Sequence, residues 1–192
     1  PATLWKGLGG ERWRHGLDGY VRDEEEPSTA EQFLERARRL SLKTPYVLQP
    51  VIRNHPDLLR INNGSLSTIR LTTGFEMGAP SPVLILAAFR MGTGRAVVDN
   101  FTSGGIAAGV DNRSGILGPA IGKDPIRPPY DVHPDTQQRI TGTVLPFWNE
   151  TVALCLQAHR CFPDLAIVGW DVALTPEGPL LVEANLPCCV EI

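Results

Sequence analysis

The stretch "GWDVALTPEGPLLVEAN", residues 169–185, is two apolar runs either side of a turn, yet Asp171, Glu183 and Asn185 interrupt them. Short apolar runs fenced by Thr, Pro, Glu and Gly predict a β-hairpin. With Pro176, Glu177 and Gly178 as the loop, Pro leading and Gly in the left-handed position, Thr175 faces Pro179. Counting outward pairs Asp171 with Glu183 and Gly169 with Asn185. Side chains alternate between faces, so this register gathers Asp171, Glu183 and Asn185 on one face, and a one-residue slip sends Asp171 to the other. Two carboxylates and an amide oxygen on one face repel each other and resist desolvation unless a cation neutralises them. Hard oxygen donors suit magnesium, which takes one or two carboxylates and fills its remaining positions with water and phosphate oxygens. The competing reading is a solvated face whose polar residues point into water. Spacing alone does not choose between the two.

Outward from the hairpin, strand-like runs dominate from Ser65: "SLSTIRLTTG", "SPVLILAAFRMG", "GRAVVDNF", "GGIAAGVD" and "GILGPAIG", each bounded by Gly, Pro, Asn or Asp. They predict a meandering antiparallel sheet. "KDPIRPPYDVH" (123–133) is proline-rich and loops, whereas "HPDTQQRITG" and "PFWNETVALCLQAHRCF" read as helical, with Pro134 and Pro146 tolerable in a first turn. Towards the N-terminus, "ATLWKGLGGERWRHG" begins as a short strand and runs into a glycine-rich basic loop. "PSTAEQFLERARRLSL" is a helix with a cap-like Ser28/Thr29 and a buried stripe of Phe33, Leu34, Ala37 and Leu40. "TPYVLQPVI" is a strand ending near Pro50, and "RNHPDLLRINNG" is a connection of turns that marks a boundary between lobes. The expectation is an α+β protein, a small lobe over residues 1–52 followed by a larger one over 53–192 built on an antiparallel sheet.

The chain has 192 residues, 42% of them hydrophobic, and a formal net charge of -3, so it can bury a core but offers no basic field that would gather nucleic acid. The longest apolar stretch, "VLILAAF" at 83–89, is too short to span a bilayer, and no secretory pattern opens the chain. Its start at Pro1 without methionine is expected to be a cut edge. Cys155, Cys161, Cys188 and Cys189 form no C-x-x-C pair and, with four scattered histidines, no zinc spacing, which predicts reduced thiols and a cytoplasmic location. Sequons at Asn63, Asn100, Asn112 and Asn149 carry little weight without a signal peptide. "GPAIGKD" (118–124) is a residue short for a P-loop and has Asp124 where Ser or Thr should stand; no G-x-G-x-x-G and no G-x-S-x-G occurs.

E-x-N ending a strand, with an Asp across the hairpin, resembles the metal-binding signature of the ATP-grasp superfamily of carboxylate-amine ligases. "HPDLLRINNGSLSTIRLTT", "VVDNFTSGGIAAGVDNRSG" and "VGWDVALTPEGPLLVEAN" are similar to its sugar-transfer-associated branch, and the likeness runs over most of residues 3–187. The resemblance implies two α+β lobes with a nucleotide cleft between them, and ATP and Mg2+ as cofactors. It implies Asp171, Glu183 and Asn185 as magnesium ligands and Lys6 as the lysine reaching the ATP phosphates. Gly9 and Gly10 match a flap whose backbone N–H groups approach phosphate. Gln49, Pro50 and Val51 match the hinge beside adenine, with Val51 as N–H donor because Pro50 has none. Arg70 matches the arginine directed at the transferring phosphate, and Asn100 with Gly104-Gly105 the loop near the acyl acceptor. His55 and His133, each before a proline, read as structural, and Trp13, Trp148 and Trp170 as packing residues. The family pattern normally adds a preceding α/β domain with a second lysine and a longer C-terminal end.

The implied reaction activates a carboxylate by ATP to an acyl phosphate, from which an amine displaces phosphate. Lys6 and Arg70 counter the developing charge, and the substrates are a small-molecule acid and amine, sugar-linked in a glycan-building setting. Two rivals stand beside it: a kinase passing the γ-phosphate to a sugar hydroxyl, and a non-catalytic nucleotide- or glycan-binding module. A complete metal triad argues against the last.

Overall fold

The computed structural model describes residues 2–5, 13–16, 19–22, 29–42, 47–50, 52–62, 64–76, 78–94, 101, 104–124 and 126–186. The chain divides into two compact units, Pro1–Val51 and Ile52–Ile192.

The first unit holds strands β1 (Ala2–Trp5), β2 (Trp13–Gly16), β3 (Gly19–Arg22) and β4 (Val47–Pro50) in an antiparallel sheet of order β3-β2-β1-β4, with helix α1 (Ala30–Ser41) between β3 and β4 in the chain. "WRHG", expected in a loop, is therefore a strand, paired with β3 from Trp13↔Arg22 to Gly16↔Gly19. α1 starts at a reciprocal cap: Gln32 N donates to Thr29 Oγ1 (3.2 Å) and Thr29 N to Gln32 Oε1 (3.0 Å), satisfying two backbone donors that the first turn leaves over. Leu34, placed in the buried stripe by its spacing, is half-exposed. The other three members of that stripe have side chains outside the described set.

The second unit is built on a six-stranded antiparallel sheet of order β10-β9-β5-β6-β7-β8. Its strands are β5 (Thr68–Phe75), β6 (Pro82–Met91), β7 (Ile106–Val110), β8 (Leu117–Ile121), β9 (Ile167–Thr175) and β10 (Gly178–Asn185), and helix α2 spans Trp148–Arg160. Strands β5 to β8 meander as expected. The terminal hairpin does not continue the meander but returns to β5, with Arg70 opposite Asp171, so that β5 and β9 both become interior strands. "RNHPDLLRINNG" is more than a connection: Pro56–Ile61 forms a 3-10 helix that sends Leu58 and Ile61 into the core. "HPDTQQRITG" is not helical. Gln137 takes a left-handed φ of 57°, and Val132 bridges Arg139, so the segment folds back on itself. Pro146 precedes α2 altogether, ahead of the N-cap Phe147. Most of "GRAVVDNF" lies outside the described residues.

One sheet face carries the core. Ile69 and Leu71 of β5, Phe89 and Met91 of β6, and Val172 and Leu174 of β9 are all buried there with Trp148 and Cys155 of α2. A chain of hydrogen bonds ties this face to the helix. Trp170 Nε1 donates to Thr73 Oγ1 (2.8 Å), which lies 2.7 Å from His159 Nδ1, while His159 Nε2 lies 2.9 Å from the Leu165 carbonyl. The carbonyl can only accept and the indole can only donate, so the proton sits on Nε2 and Thr73 donates to Nδ1. Trp148 and Trp170 are buried packing residues, as expected. At the β7–β8 turn Gly115 has φ +69°, and a Cβ there would lie 2.6 Å from Trp148 Cγ, so both conformation and space require glycine. In the same turn Asp111 Oδ1 accepts from the Ser114 hydroxyl (2.6 Å) and N–H (2.8 Å), which holds its carboxyl below the usual carboxylate range. Among the described residues no helix is long and apolar enough to cross a membrane.

Candidate functional site

The terminal hairpin reaches the expected pairs by an unexpected route. Pairing begins with Gly178 opposite Thr175, one residue tighter than the three-residue loop predicted from turn chemistry, and continues to Leu181↔Val172. Gly178 accommodates this with φ +128°, and the Thr175 hydroxyl spans the turn, accepting from Glu177 N (3.2 Å) and donating to the Gly178 carbonyl (2.9 Å). Continued regularly, that register would set Val182 against Asp171 and turn Glu183 to the core. A β-bulge between Leu181 and Glu183 absorbs the extra residue, restoring Glu183↔Asp171 and Asn185↔Gly169. Asp171, Glu183 and Asn185 thus share a face, the one opposite the core.

On this face Asp171 stands directly beside Arg70 of β5. Arg70 Nε reaches Asp171 Oδ1 at 2.5 Å and Arg70 Nη2 reaches Oδ2 at 3.0 Å, the bidentate fork that matches guanidinium to carboxylate. Arg90 of β6 joins them, its Nη2 3.0 Å from the same Oδ2. Arg90 is itself held by Thr68, whose Oγ1 accepts from Nε (3.1 Å) and Nη2 (2.7 Å). Thr68 lies opposite Arg90 in the ladder and two residues from Arg70, so all four side chains follow from strand register alone. Asp171 is buried and both arginines largely so. Removing one member of such a group leaves an uncompensated charge, which typically costs about 3–5 kcal/mol. Around it the paired positions are small: Ala88 faces Arg70 and Ala173 faces Thr68. Glu183 is exposed and Asn185 half-buried, with Nδ2 in a long contact to the Gly169 carbonyl (3.5 Å).

Of the residues predicted from sequence, Arg70, Asp171, Glu183 and Asn185 come together on this face. Lys6, Gly9, Gly10, Val51 and Asn100 lie outside the described residues. Gln49 and Pro50 end β4, opposite Thr3 and Ala2 of β1. Gly104 closes a turn in which its N–H donates to the Phe101 carbonyl (3.3 Å). His133 is buried, its Nε2 3.0 Å from the Gly92 carbonyl and its Nδ1 accepting from Asp135 N (3.2 Å); His55 Nδ1 caps the 3-10 helix at Asp57 N (3.2 Å). Both hold turns. Sequence reasoning missed Arg90 and Thr68. The signal was available, because in "LAAFRM" Ala88 and Arg90 alternate with Phe89 and Met91, the same placement of a guanidinium within an apolar strand that singled out Arg70.

A wide trough of about 670 Å³ borders β6 to β8 at Leu86, Gly109, Asn112, Ile116 and Gly118. It includes none of the arginine-cluster residues. Among the described residues no three His, Cys, Asp or Glu side chains form a metal-binding cluster.

The family model for sugar-transfer associated ATP-grasp proteins matches residues 38–192, most of the chain. The chain belongs to this family. No curated protein matches it significantly. The ATP-grasp match covers Arg70, Arg90, Asp171, Glu183 and Asn185 and begins after Lys6, Gly9 and Gly10. ATP-grasp proteins are in general ATP-dependent ligases, and the six-stranded antiparallel sheet with its few helices is the α+β architecture expected.

Proposed function

We propose that the protein is an ATP- and magnesium-dependent carboxylate-amine ligase that forms an amide through an acyl phosphate, acting in polysaccharide or cell-surface glycan assembly. The observation that carries this reading is the alignment of Arg70, Asp171, Glu183 and Asn185 on one sheet face within the span that matches the family. In the reading, the two units are the small and large lobes of the fold and the nucleotide is ATP. Lys6 and the Gly9-Gly10 flap meet its phosphates, Gln49 to Val51 its base, and Asn100 the acceptor side.

The donor chemistry suits magnesium in part. Glu183 offers an exposed carboxylate and Asn185 an amide oxygen, both hard donors on the correct face. Asp171 fits only once its oxygens leave the guanidinium groups that now hold them. These three residues would hold the ion, which when bound screens the charge of the β- and γ-phosphates. Chemistry then asks this chain for placement and charge rather than for a nucleophile. An oxygen of the substrate carboxylate attacks the γ-phosphorus, and the bond from phosphorus to the bridging oxygen of ADP breaks. The amine nitrogen next attacks the acyl carbon, phosphate leaves with the carbon–oxygen bond electrons, and the nitrogen gives up a proton to water. Arg70 offsets the charge that gathers on the transferred group in both steps.

The test is magnesium-dependent thermal stabilisation by a non-hydrolysable ATP analogue, followed by product analysis. Stabilisation is expected in the intact protein and is expected to fall at least about tenfold in apparent affinity on Glu183→Gln. ADP and phosphate released only with acid and amine together support the ligase. A stable phosphorylated sugar would replace it with a kinase, and no nucleotide-dependent stabilisation would remove both.

A further inference from the structure

We infer that the trough bordering β6 to β8 is a subsite for an uncharged sugar ring, seated on two glycines, Gly109 and Gly118, whose lack of a side chain the fold itself does not require. The ligase reading enters only in making that sugar part of a substrate; the subsite itself rests on geometry. Gly109 lies between Ala108 and Val110, which both belong to the core, so position 109 points to the opposite sheet face. It pairs with Ala88, and Ala88 with Arg70, so the floor of the trough and the arginine cluster share a face and lie two strands, about 10 Å, apart.

Glycine weakens a strand, because it loses more backbone freedom on folding and packs nothing, so its presence there calls for a reason. At Gly115 a positive φ and the Trp148 ring supply one. Neither reason holds at Gly109 or Gly118. Neither takes a positive φ, a Cβ on Gly109 would meet nothing within 4 Å, and one on Gly118 would meet only the Gly109 carbonyl oxygen, at an ordinary 3.6 Å. What the missing side chains preserve is the depth of the trough, whose volume of about 670 Å³ falls within the range of about 300–1,000 Å³ usual for small-molecule sites.

The lining sets the class of guest. Leu86 and Ile116 are aliphatic, whereas Asp111 and Asn112 add a carboxylate and an amide. Asn112 is braced by a hydrogen bond from Nδ2 to the Ile85 carbonyl (3.0 Å), and Asp111 by the hydroxyl and N–H of Ser114. Among the described residues that line the trough there is no lysine or arginine, so a phosphate or carboxylate guest would meet only the charge of Asp111, of its own sign. A guest made of hydrocarbon alone would desolvate the carboxylate and the amide without replacing their hydrogen bonds. A sugar ring suits both halves of the lining. Its C–H face packs on side-chain-free backbone and aliphatic walls, while its hydroxyls donate to Asp111 and exchange hydrogen bonds with Asn112. The sugar-transfer association of the matching family agrees with that class.

The experiment uses the full chain and saturation-transfer NMR, with the methyl glycosides of glucose and N-acetylglucosamine as neutral probes and glucuronate as the charged comparison. Saturable binding of at least one neutral probe is expected in the unmodified protein, tighter than that of glucuronate. Gly109→Val puts a branched side chain into the trough at a position where a strand favours one, and is expected to weaken that binding about tenfold or more. Gly109→Ala, whose methyl meets no heavy atom within 4 Å, should weaken it in the same sense, and an unchanged thermal midpoint in that variant separates lost binding from lost fold. No saturable binding of either neutral probe would overturn the inference, as would affinity unchanged in both variants or glucuronate binding as tightly as the neutral probes. Self-association of the unmodified protein that Gly109→Val abolishes, read by sedimentation, would also overturn it and give the trough to a second copy of the chain. Sugar binding without nucleotide-dependent stabilisation would sink the ligase reading and leave the subsite, and the reverse result would do the opposite.

Discussion

Thr73→Val tests whether β5 and β9 are fixed by the hydrogen-bond chain beneath the site. Valine has nearly the shape of threonine, so the substitution leaves the packing and deletes one hydroxyl. That hydroxyl receives the Trp170 indole proton at 2.8 Å and donates to His159 Nδ1 at 2.7 Å, and Thr73 and His159 are fully buried. Its loss strands one buried donor and one buried acceptor. At about 1–3 kcal/mol for each group left without a partner, the destabilisation should be about 2–6 kcal/mol. The His159 and Trp170 rings, with centroids 6.2 Å apart, cannot re-pair directly without movement of strand or helix. In urea, with a slope of about 1–3 kcal/mol per molar, this moves the tryptophan-fluorescence midpoint down by about 1 M or more. Thr73→Ser keeps the hydroxyl and loses one methyl, and should cost about 1 kcal/mol. A valine variant within about 0.5 kcal/mol of the parent, or a serine variant worse than valine, would refute the reasoning, since ordinary surface substitutions already produce shifts of that size.

Burial pushes the Cys155 thiol from 9.0 up to about 12, whereas Cys161 is exposed. Alkylation mapped by mass spectrometry at mildly alkaline pH should modify Cys161 and spare Cys155 until the protein is unfolded. Because the folded pKa is raised, the unfolded chain loses this proton first, so stability should fall as pH rises from about 9 towards 12, by up to about 1.4 kcal/mol per pH unit, and Cys155→Ala should remove that contribution. Deleting Val182, the residue absorbed by the bulge, should leave Glu183 opposite Asp171 and preserve magnesium-nucleotide stabilisation, whereas deleting Glu183 instead leaves Val182 opposite Asp171 in the regular register and should abolish it. If both deletions behave alike, the bulge is not what orients the metal-side carboxylate.

The strands were legible because each apolar run is bounded by Gly, Pro, Asn or Asp, and those boundaries are local chemistry. The order in which they pair was not. Nothing local in "GWDVALT" distinguishes β5 from β8 as its neighbour, and the choice is settled by contacts about a hundred residues away, such as Arg70 with Asp171. Helix was misread in "HPDTQQRITG" because a polar run has no apolar period to hold it, and a single left-handed Gln137 with a bridge from Val132 to Arg139 turns it into a folded loop. The opposite error hid the 3-10 helix at Pro56–Ile61, where two buried side chains are too few to make a visible period.

The site was legible in its register and only half legible in its chemistry. A tight turn and a bulge displace the pairing by one residue each in opposite senses, so counting outward from the wrong loop still finds Asp171 against Glu183. Carboxylates in a strand require a cation, and for Asp171 that requirement is met by two guanidiniums carried on β5 and β6. Desolvation fixes the sign of the partner and not its identity, so Asp171's burial would hold with no metal at all. Glu183 is different. It is exposed, so water alone can satisfy it, and neither desolvation nor an arginine partner among the described residues accounts for the bulge that turns it towards Asp171. A strand that departs from regular pairing to present an exposed carboxylate and the amide two residues on is better explained by a ligand outside the chain than by the needs of the fold, and that is the argument for magnesium that survives the arginines.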